Sequence, residues 1–336
     1  MGSRAGQRSE SSARLLPHTF PFPQVSHGDC LPDQQPNPTH TRPRKMQLGL
    51  SESLSSLYQV RYCPALAKKP TGAPKPDKGP SGPKPDPFQD PSPDLLLAQI
   101  PRENPSHVLV LNKFPVIPNH FILATKAWQS QTDLLDKEDL EAAYACIKAW
   151  AEGSHAEGQG SKKLFAFFNS GDESGASQPH RHLQFLPVEA MAQGDSQNWQ
   201  PLIDAVPFAH FARPLPSNPS SEALHQIYLS LYRAAVATAK GDLSDAGQVT
   251  GPATISYNLA MTETTMMICP RRIDSTASVD VAEAGVVALN GTVLAGTLMV
   301  KAEAEWDELR RNPTSLHNVL AAIGYPQPDS REVSLL

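Results

Sequence analysis

His180, His182 and Gln184 occupy alternate positions in the run Ser174-Gly175-Ala176-Ser177-Gln178-Pro179-His180-Arg181-His182-Leu183-Gln184. Side chains on a strand alternate between faces, so these three would line one face while Arg181, Leu183 and Phe185 line the other. Two chemistries fit imidazoles at i and i+2. Such a pair can ligate a transition metal, but the site needs a further ligand and Gln184 is a poor one. No Cys or Asp stands nearby at usable spacing, although a distant residue can fold in. The second chemistry is nucleophilic catalysis: a neutral imidazole attacks an activated phosphate near neutral pH and forms a phosphoramidate. The polar turn Ser174–Gln178 can aim N–H and hydroxyl donors at non-bridging phosphate oxygens, and Gln184 can add its amide. The plain alternative is two hydrogen-bonded histidines on a half-exposed strand.

A strand pair has to hold these residues. Leu164–Phe168, ending in Asn169, predicts one strand and His180–Leu186 the next, with the polar turn between them. Upstream, Ser106–Asn112 and Phe121–Thr125 predict a strand and its return across a turn carrying Pro115 and Pro118. Asp136 is the expected N-cap of a helix to about Ala151, with Leu140, Tyr144, Ile147 and Ala151 as its apolar stripe. Downstream, Ser221–Lys240 reads as a helix. Thr254–Leu259 and Met266–Cys269 read as a hairpin, and Ala302–Arg310 and Ser315–Ile323 as short helices. Gln59–Arg61 begins an ordered strand, and Gly291–Gly296 fits no single element. Strand, helix, strand, turn, strand is an α+β pattern with a mainly antiparallel sheet.

Composition narrows the function classes. The 336 residues suffice for a large core in one or two domains. No run of 18 apolar residues exists to cross a membrane. Acidic residues outnumber basic ones, 34 to 29, for a net charge of −5, so nothing suggests a nucleic-acid partner. A bound nucleotide must be held by local cations and backbone donors. Cys30, Cys63, Cys146 and Cys269 are scattered, which argues against a zinc ribbon or disulfide framework and fits a reducing compartment, the cytoplasm and also the nucleus. The first fifty residues lack a signal-peptide pattern. Residues 1–50 read as a leader, Ser-, Pro- and Gln-rich through Pro43, expected to be disordered and dispensable for folding. Pro64–Pro93 is dominated by proline and lysine and predicts an extended, mobile loop.

With these residues in view, H-x-H-x-Q resembles the transferase branch of the histidine-triad superfamily, where Gln replaces the third His of the hydrolases. More narrowly, Asn169-Ser170-Gly171 followed by Ser174–Gln184 is similar to the fungal diadenosine tetraphosphate phosphorylases, also called ATP adenylyltransferases. Pro64-Ala65-Leu66-Ala67-Lys68-Lys69-Pro70, Asn112-Lys113-Phe114-Pro115, Pro118-Asn119-His120-Phe121, Ser256-Tyr257-Asn258-Leu259, Met266-Met267 and Pro270-Arg271 match as well, so the resemblance runs from about Tyr62 to Tyr325. Galactose-1-phosphate uridylyltransferases share the branch but carry Pro between the two histidines, where this chain has Arg181.

The resemblance implies a histidine-triad-like α+β domain over residues 51–325 with a tail at 326–336. It implies phosphorolysis of diadenosine tetraphosphate by inorganic phosphate to ATP and ADP through an adenylyl-histidine intermediate. It also implies the reverse synthesis, and conversion of adenylyl sulfate and phosphate to ADP and sulfate. His182 would be the nucleophile, His180 would orient or polarise, and Gln184 would contact the transferred phosphoryl group. Asn169, Gly175, Ala176, Ser177 and Gln178 would hold phosphates. Asn112, Lys113 and Lys68 would bind nucleotide or phosphate, and Ala260, Met261, Thr262, Met267 and Arg271 would complete the site. No tightly bound cofactor and no metal is implied; magnesium can accompany the nucleotide. Oligomeric state stays open. The rivals are a dinucleoside polyphosphate hydrolase using water and a non-catalytic nucleotide-binding relative. The second draws support from the leader, which replaces a helical segment usual in the family.

Overall fold

The computed structural model describes residues 58–64, 86–156, 162–191, 206–241, 247–277 and 286–327. The leader, Lys68 with most of the Pro/Lys segment, and the tail beyond residue 327 lie outside the described residues. In chain order the strands are β1 (Gln59–Tyr62), β2 (Leu96–Ile100), β3 (His107–Leu111), β4 (Phe121–Thr125), β5 (Leu164–Ser170), β6 (His182–Pro187), β7 (Phe211–Pro214), β8 (Tyr257–Met261), β9 (Thr265–Pro270), β10 (Ser275–Ala277), β11 (Val286–Ala288) and β12 (Thr297–Val300). The helices labelled here are α1 (Lys137–Ala156), α2 (Ser221–Lys240), α3 (Glu303–Arg311) and α4 (Pro313–Ile323).

Eight strands make one sheet in the order β2-β3-β4-β6-β5-β8-β9-β7, every neighbouring pair antiparallel. This is the expected α+β architecture. Its period of two is strict. Phe121, Leu123, Leu183, Phe185, Leu259 and Ile268 face the apolar stripes of α1 and α2. Their sequence neighbours Phe165, Phe167, Leu186, Ala260 and Met267 face the other way, onto Val293, Leu298, Leu309, Leu316 and Leu320. A smaller cluster of Phe88, Val108, Val110 and Ala124 continues that second face toward the β4 end. Helices therefore cover one face, and the C-terminal layer covers part of the other.

Several boundaries differ from the sequence expectation. β6 starts at His182 rather than His180: Pro179 offers no N–H, and His180 makes only an isolated bridge to Ser130. The first hairpin strand runs two residues past its expected end, to Met261, and the second starts one residue early, at Thr265, because the turn is fixed by Thr262, whose Oγ1 accepts the N–H groups of Thr264 and Thr265. α1 runs on through Gly153 to Ala156. Edge strand β2 was not foreseen beside the proline-rich stretch. Gly291–Ala295 is a 3-10 turn closed by Gly296 and feeding β12, which pairs in parallel with β1.

Arg181 anchors this sheet to α1. The residue is 3% exposed, with Nη1 donating to Asp136 Oδ2 at 2.9 Å and to Asp139 Oδ2 at 2.8 Å. Asp139 also accepts the Asp136 backbone N–H and pairs with His107 Nε2 at 2.9 Å. Asp136, expected as the cap, thus gives its carboxylate to Arg181 while Asp139 takes the orphan N–H. Burial alone would raise the Asp139 carboxyl, but the His107 bond and the Arg181 charge outweigh it and hold the group below the ordinary carboxylate range. The stabilisation is therefore complete above the unfolded value of about 3.9 and is lost as pH falls through the lower folded value. Asp139→Asn should lose about 3–5 kcal/mol at neutral pH by leaving Arg181 under-compensated in the interior. In urea titrations the gap to wild type should hold from pH 7 to about 5 and close only in stronger acid.

Candidate active site

The two strands that carry the motif part where the chemistry begins. The β5–β6 ladder ends at Phe167 opposite Gln184, so two residues further on Asn169 and His182 lack their backbone pairing. Gln131 fills the gap. Its Oε1 accepts His182 N–H at 2.7 Å, and its Nε2 donates to Asn169 O at 2.8 Å and His182 O at 3.2 Å. A side-chain amide thus replaces a strand pairing and fixes the His182 backbone.

His180, His182 and Gln184 share the face predicted for them, opposite Leu183 and Phe185. His182 Nδ1 lies 2.8 Å from its neighbour's carbonyl, His180 O. A carbonyl only accepts, so Nδ1 carries the proton, and in the neutral ring Nε2 holds the lone pair. His180 is gripped at both ring nitrogens, Nδ1 by Asp86 Oδ2 at 2.5 Å and Nε2 by Thr125 Oγ1 at 2.9 Å. The Phe88 ring lies over both imidazoles, its centroid 5.7 Å from His180 and 5.1 Å from His182.

Gln184 Oε1 accepts from His120 Nε2 at 3.1 Å, and Asn112 Nδ2 donates to His120 Nδ1 at 2.9 Å. With its oxygen committed, Gln184 offers a ligand its amide N–H groups. Beside it opens a cavity of about 110 Å³ lined by Asn112, Phe114, Ile117, His120, Leu289 and Asn290, among others. Lys113 is exposed at its rim, Nζ 5.8 Å from the Phe114 ring centroid.

Asn169 holds the motif loop from beneath. Its Oδ1 accepts from Asn258 Nδ2 and from Gly291 N, both at 2.9 Å. A Cβ at Gly291 would meet that oxygen at 2.9 Å, so the close approach requires glycine. Asn169 Nδ2 is buried with no hydrogen-bond partner among the described residues. Asn258 Nδ2 also donates to Ser174 O. Gly175 adopts φ +76°, and a Cβ there would come within 2.6 Å of Leu289 O. Ala176 and Ser177 are exposed in the loop that follows, and Gln178 is half-buried.

The remaining sequence candidates lie apart from the histidines. Ala260 and Met267 pair across β8 and β9 and pack in the core, Met261 packs on the opposite face, and Thr262 makes the hairpin turn. Arg271, expected on a phosphate chain, is 2% exposed and clamps the framework instead. Its Nε donates to Ile323 O, Nη1 to Asn258 Oδ1, and Nη2 to Ile273 O and Leu289 O. Burial lowers its pKa, with Cys269 and the Asp274 carboxylate acting in the opposite direction, and its direct hydrogen bonds go to carbonyl oxygens and the Asn258 amide. Lys68 lies outside the described residues. Sequence reasoning missed Asp86, Phe88, Thr125, Gln131 and Asn258 as site-builders. His120 stood in the matching Pro118–Phe121 element without an assigned role.

Arg271→Lys should strand buried carbonyls and lower the unfolding free energy by at least about 2 kcal/mol. Urea titration checks this; unchanged stability with weakened nucleotide binding would return Arg271 to phosphate contact.

Two family models match successive parts of the chain, the Ap4A phosphorylase N-terminal domain over residues 46–205 and the ATP adenylyltransferase C-terminal domain over 204–326. The chain is 26% identical over 308 residues to diadenosine 5',5'''-P1,P4-tetraphosphate phosphorylase 2 of Saccharomyces cerevisiae, covering 86% of this chain and 89% of that one. It is 29% identical over 296 residues to Protein APA1 of the same organism, with coverage of 82% and 85%. The crystal structure of yeast Ap4A phosphorylase Apa2 superposes with a TM-score of 0.61 at 26% identity, over 81% of this chain and 86% of that one. The complex of Apa2 with Ap4A gives the same TM-score at 25% identity and the same coverage.

Proposed function

We propose, since the chain belongs to the diadenosine tetraphosphate phosphorylase (ATP adenylyltransferase) family, that His182 carries the adenylyl group in the phosphorolysis this adenylyltransferase performs on diadenosine tetraphosphate. The reaction consumes diadenosine tetraphosphate and inorganic phosphate and yields ATP and ADP. The observation that carries the role of His182 is its Nδ1–H bond to His180 O, which assigns the ring proton to Nδ1 and makes Nε2 the nitrogen with nucleophilic character.

In the first step the Nε2 lone pair attacks the α-phosphorus at one end of the dinucleotide. An N–P bond forms, the bridging P–O bond breaks, and its electron pair leaves on ATP. The Nδ1 proton stays on the ring, where His180 O accepts it as positive charge develops. In the second step a phosphate oxygen attacks the same phosphorus. The N–P bond breaks, its electrons return to Nε2, and ADP departs. Gln184 and the backbone donors of Gly175–Gln178 sit where charge grows on the non-bridging oxygens, and Asn169 Nδ2 is a further donor beneath that loop. The cavity beside Gln184 takes the adenosine attached to the attacked phosphorus, Asn112 and Phe114 at its wall. Lys113 adds a cation at the rim. The chain's own residues supply the nucleophile and donors, so magnesium enters with the polyphosphate rather than as a resident ion.

Withholding phosphate should leave one adenylyl group on the peptide containing His182, read by mass spectrometry, and His182→Ala should abolish it while remaining folded. Adding phosphate should discharge the adduct as ADP. Release as AMP at an equal rate with or without phosphate would make the chain a hydrolase, and an undiminished adduct in His182→Ala would place the nucleophile elsewhere.

A further inference from the structure

We propose that Asp86 is a positioning residue for the adenylyl transfer, acting through His180 on His182; this rests on the nucleophile assigned above. The three residues Asp86-Pro87-Phe88 form a clamp over the histidine pair, built from both oxygens of one carboxylate. Asp86 Oδ1 accepts the backbone N–H of Phe88 at 2.9 Å, which folds the tripeptide into a tight turn. Asp86 Oδ2 accepts Nδ1–H of His180 at 2.5 Å. The turn seats the Phe88 ring, 5% exposed, on Val108, Val110 and Ala124 and against both imidazoles.

The consequence runs through the backbone. His180 supplies two things, a side chain and the carbonyl that accepts the His182 proton. Because His180 lies before the start of β6 and makes only an isolated bridge to Ser130, the sheet constrains it weakly. Asp86 and Thr125, gripping opposite ring nitrogens, supply the constraint that the ladder lacks, and the carbonyl is held in turn. The carboxylate also brings a negative charge to the side where the His182 ring becomes cationic as the N–P bond forms, and Phe88 keeps water off that ring. Pro87 shortens the list of conformations open to the turn. The Pro/Lys segment thus ends in a catalytic support and not merely in a connection.

Asp86→Asn in the full chain leaves one oxygen to serve two donors and removes the charge. At saturating diadenosine tetraphosphate without phosphate, single-turnover adenylylation of His182 should slow by about 10–100-fold, the loss typical when the partner orienting a functional histidine is removed. The Michaelis constant should stay near the wild-type value, because both Asp86 oxygens are already committed to Phe88 N–H and His180 Nδ1–H. Asp86→Glu, which restores a carboxylate, should recover part of the rate. Proton NMR should show a far-downfield His180 Nδ1–H resonance in the wild type that disappears in Asp86→Asn and returns in Asp86→Glu. Adenylylation of Asp86→Asn at the wild-type rate, or a His180 resonance unchanged in that variant, overturns the proposal. A wild-type chain that forms no adduct contradicts the reaction assigned to His182, and the resonance then decides the clamp by itself.

Discussion

The bond from His182 Nδ1–H to the carbonyl of His180 is the constraint on which the site depends. It is local, spanning two residues of one chain segment, and it fixes the tautomer of the ring and, with it, which nitrogen carries the proton. Because the acceptor is a main-chain group, the placement of the His182 ring becomes a question of backbone placement. Each residue around it answers that question in a different way. Gln131 holds the peptide on either side of His182, Arg181 ties the intervening residue to the start of α1, and Asp86 with Thr125 holds His180. Alternation on a strand lets one segment turn its histidines to one face and its Arg181 anchor to the other.

A second frame secures the motif loop. Arg271, Asn258 and Asn169 form a buried relay from the C-terminal layer to β5, ending at Ser174 O and Gly291 N. Its polar groups sit between two apolar clusters and would be destabilising if unpaired, but four of the five Arg271 N–H groups find acceptors. The same relay explains why two successive family matches form one working site: β5 and β6 come from the first, β8 and β9 from the second, and the sheet is continuous across them.

Much of this was legible in the sequence. The apolar run Leu164–Phe168 and the alternation in His180–Leu186 announced strands, and the alternation set the faces of Arg181, His182 and Gln184 correctly. The helix Ser221–Lys240 appeared with its predicted bounds, capped by Ser220. The expected roles that the structure relocates share a physical cause. Arg271 was read as a ligand for phosphate because a guanidinium suits oxyanions, yet backbone carbonyls offer the same oxygens, and only tertiary packing decides between them. Gln131 and Asp86 carry no local signal: one side chain mends a gap between strands about 40 and 50 residues away, the other lies in a proline-rich stretch that reads as exposed loop. Ala260, Met261 and Met267 read equally as wall or core, and β-pairing places them in the core.

Stereochemistry at the attacked phosphorus tests the account most directly. Each in-line displacement inverts the phosphorus, so transfer through His182 and then to phosphate involves two inversions. With a dinucleotide made chiral at its α-phosphorus by sulfur substitution, the ADP analogue formed should keep the starting configuration. Inverted configuration would mean that phosphate attacks the dinucleotide in one step, and the account of His182 as carrier would be contradicted.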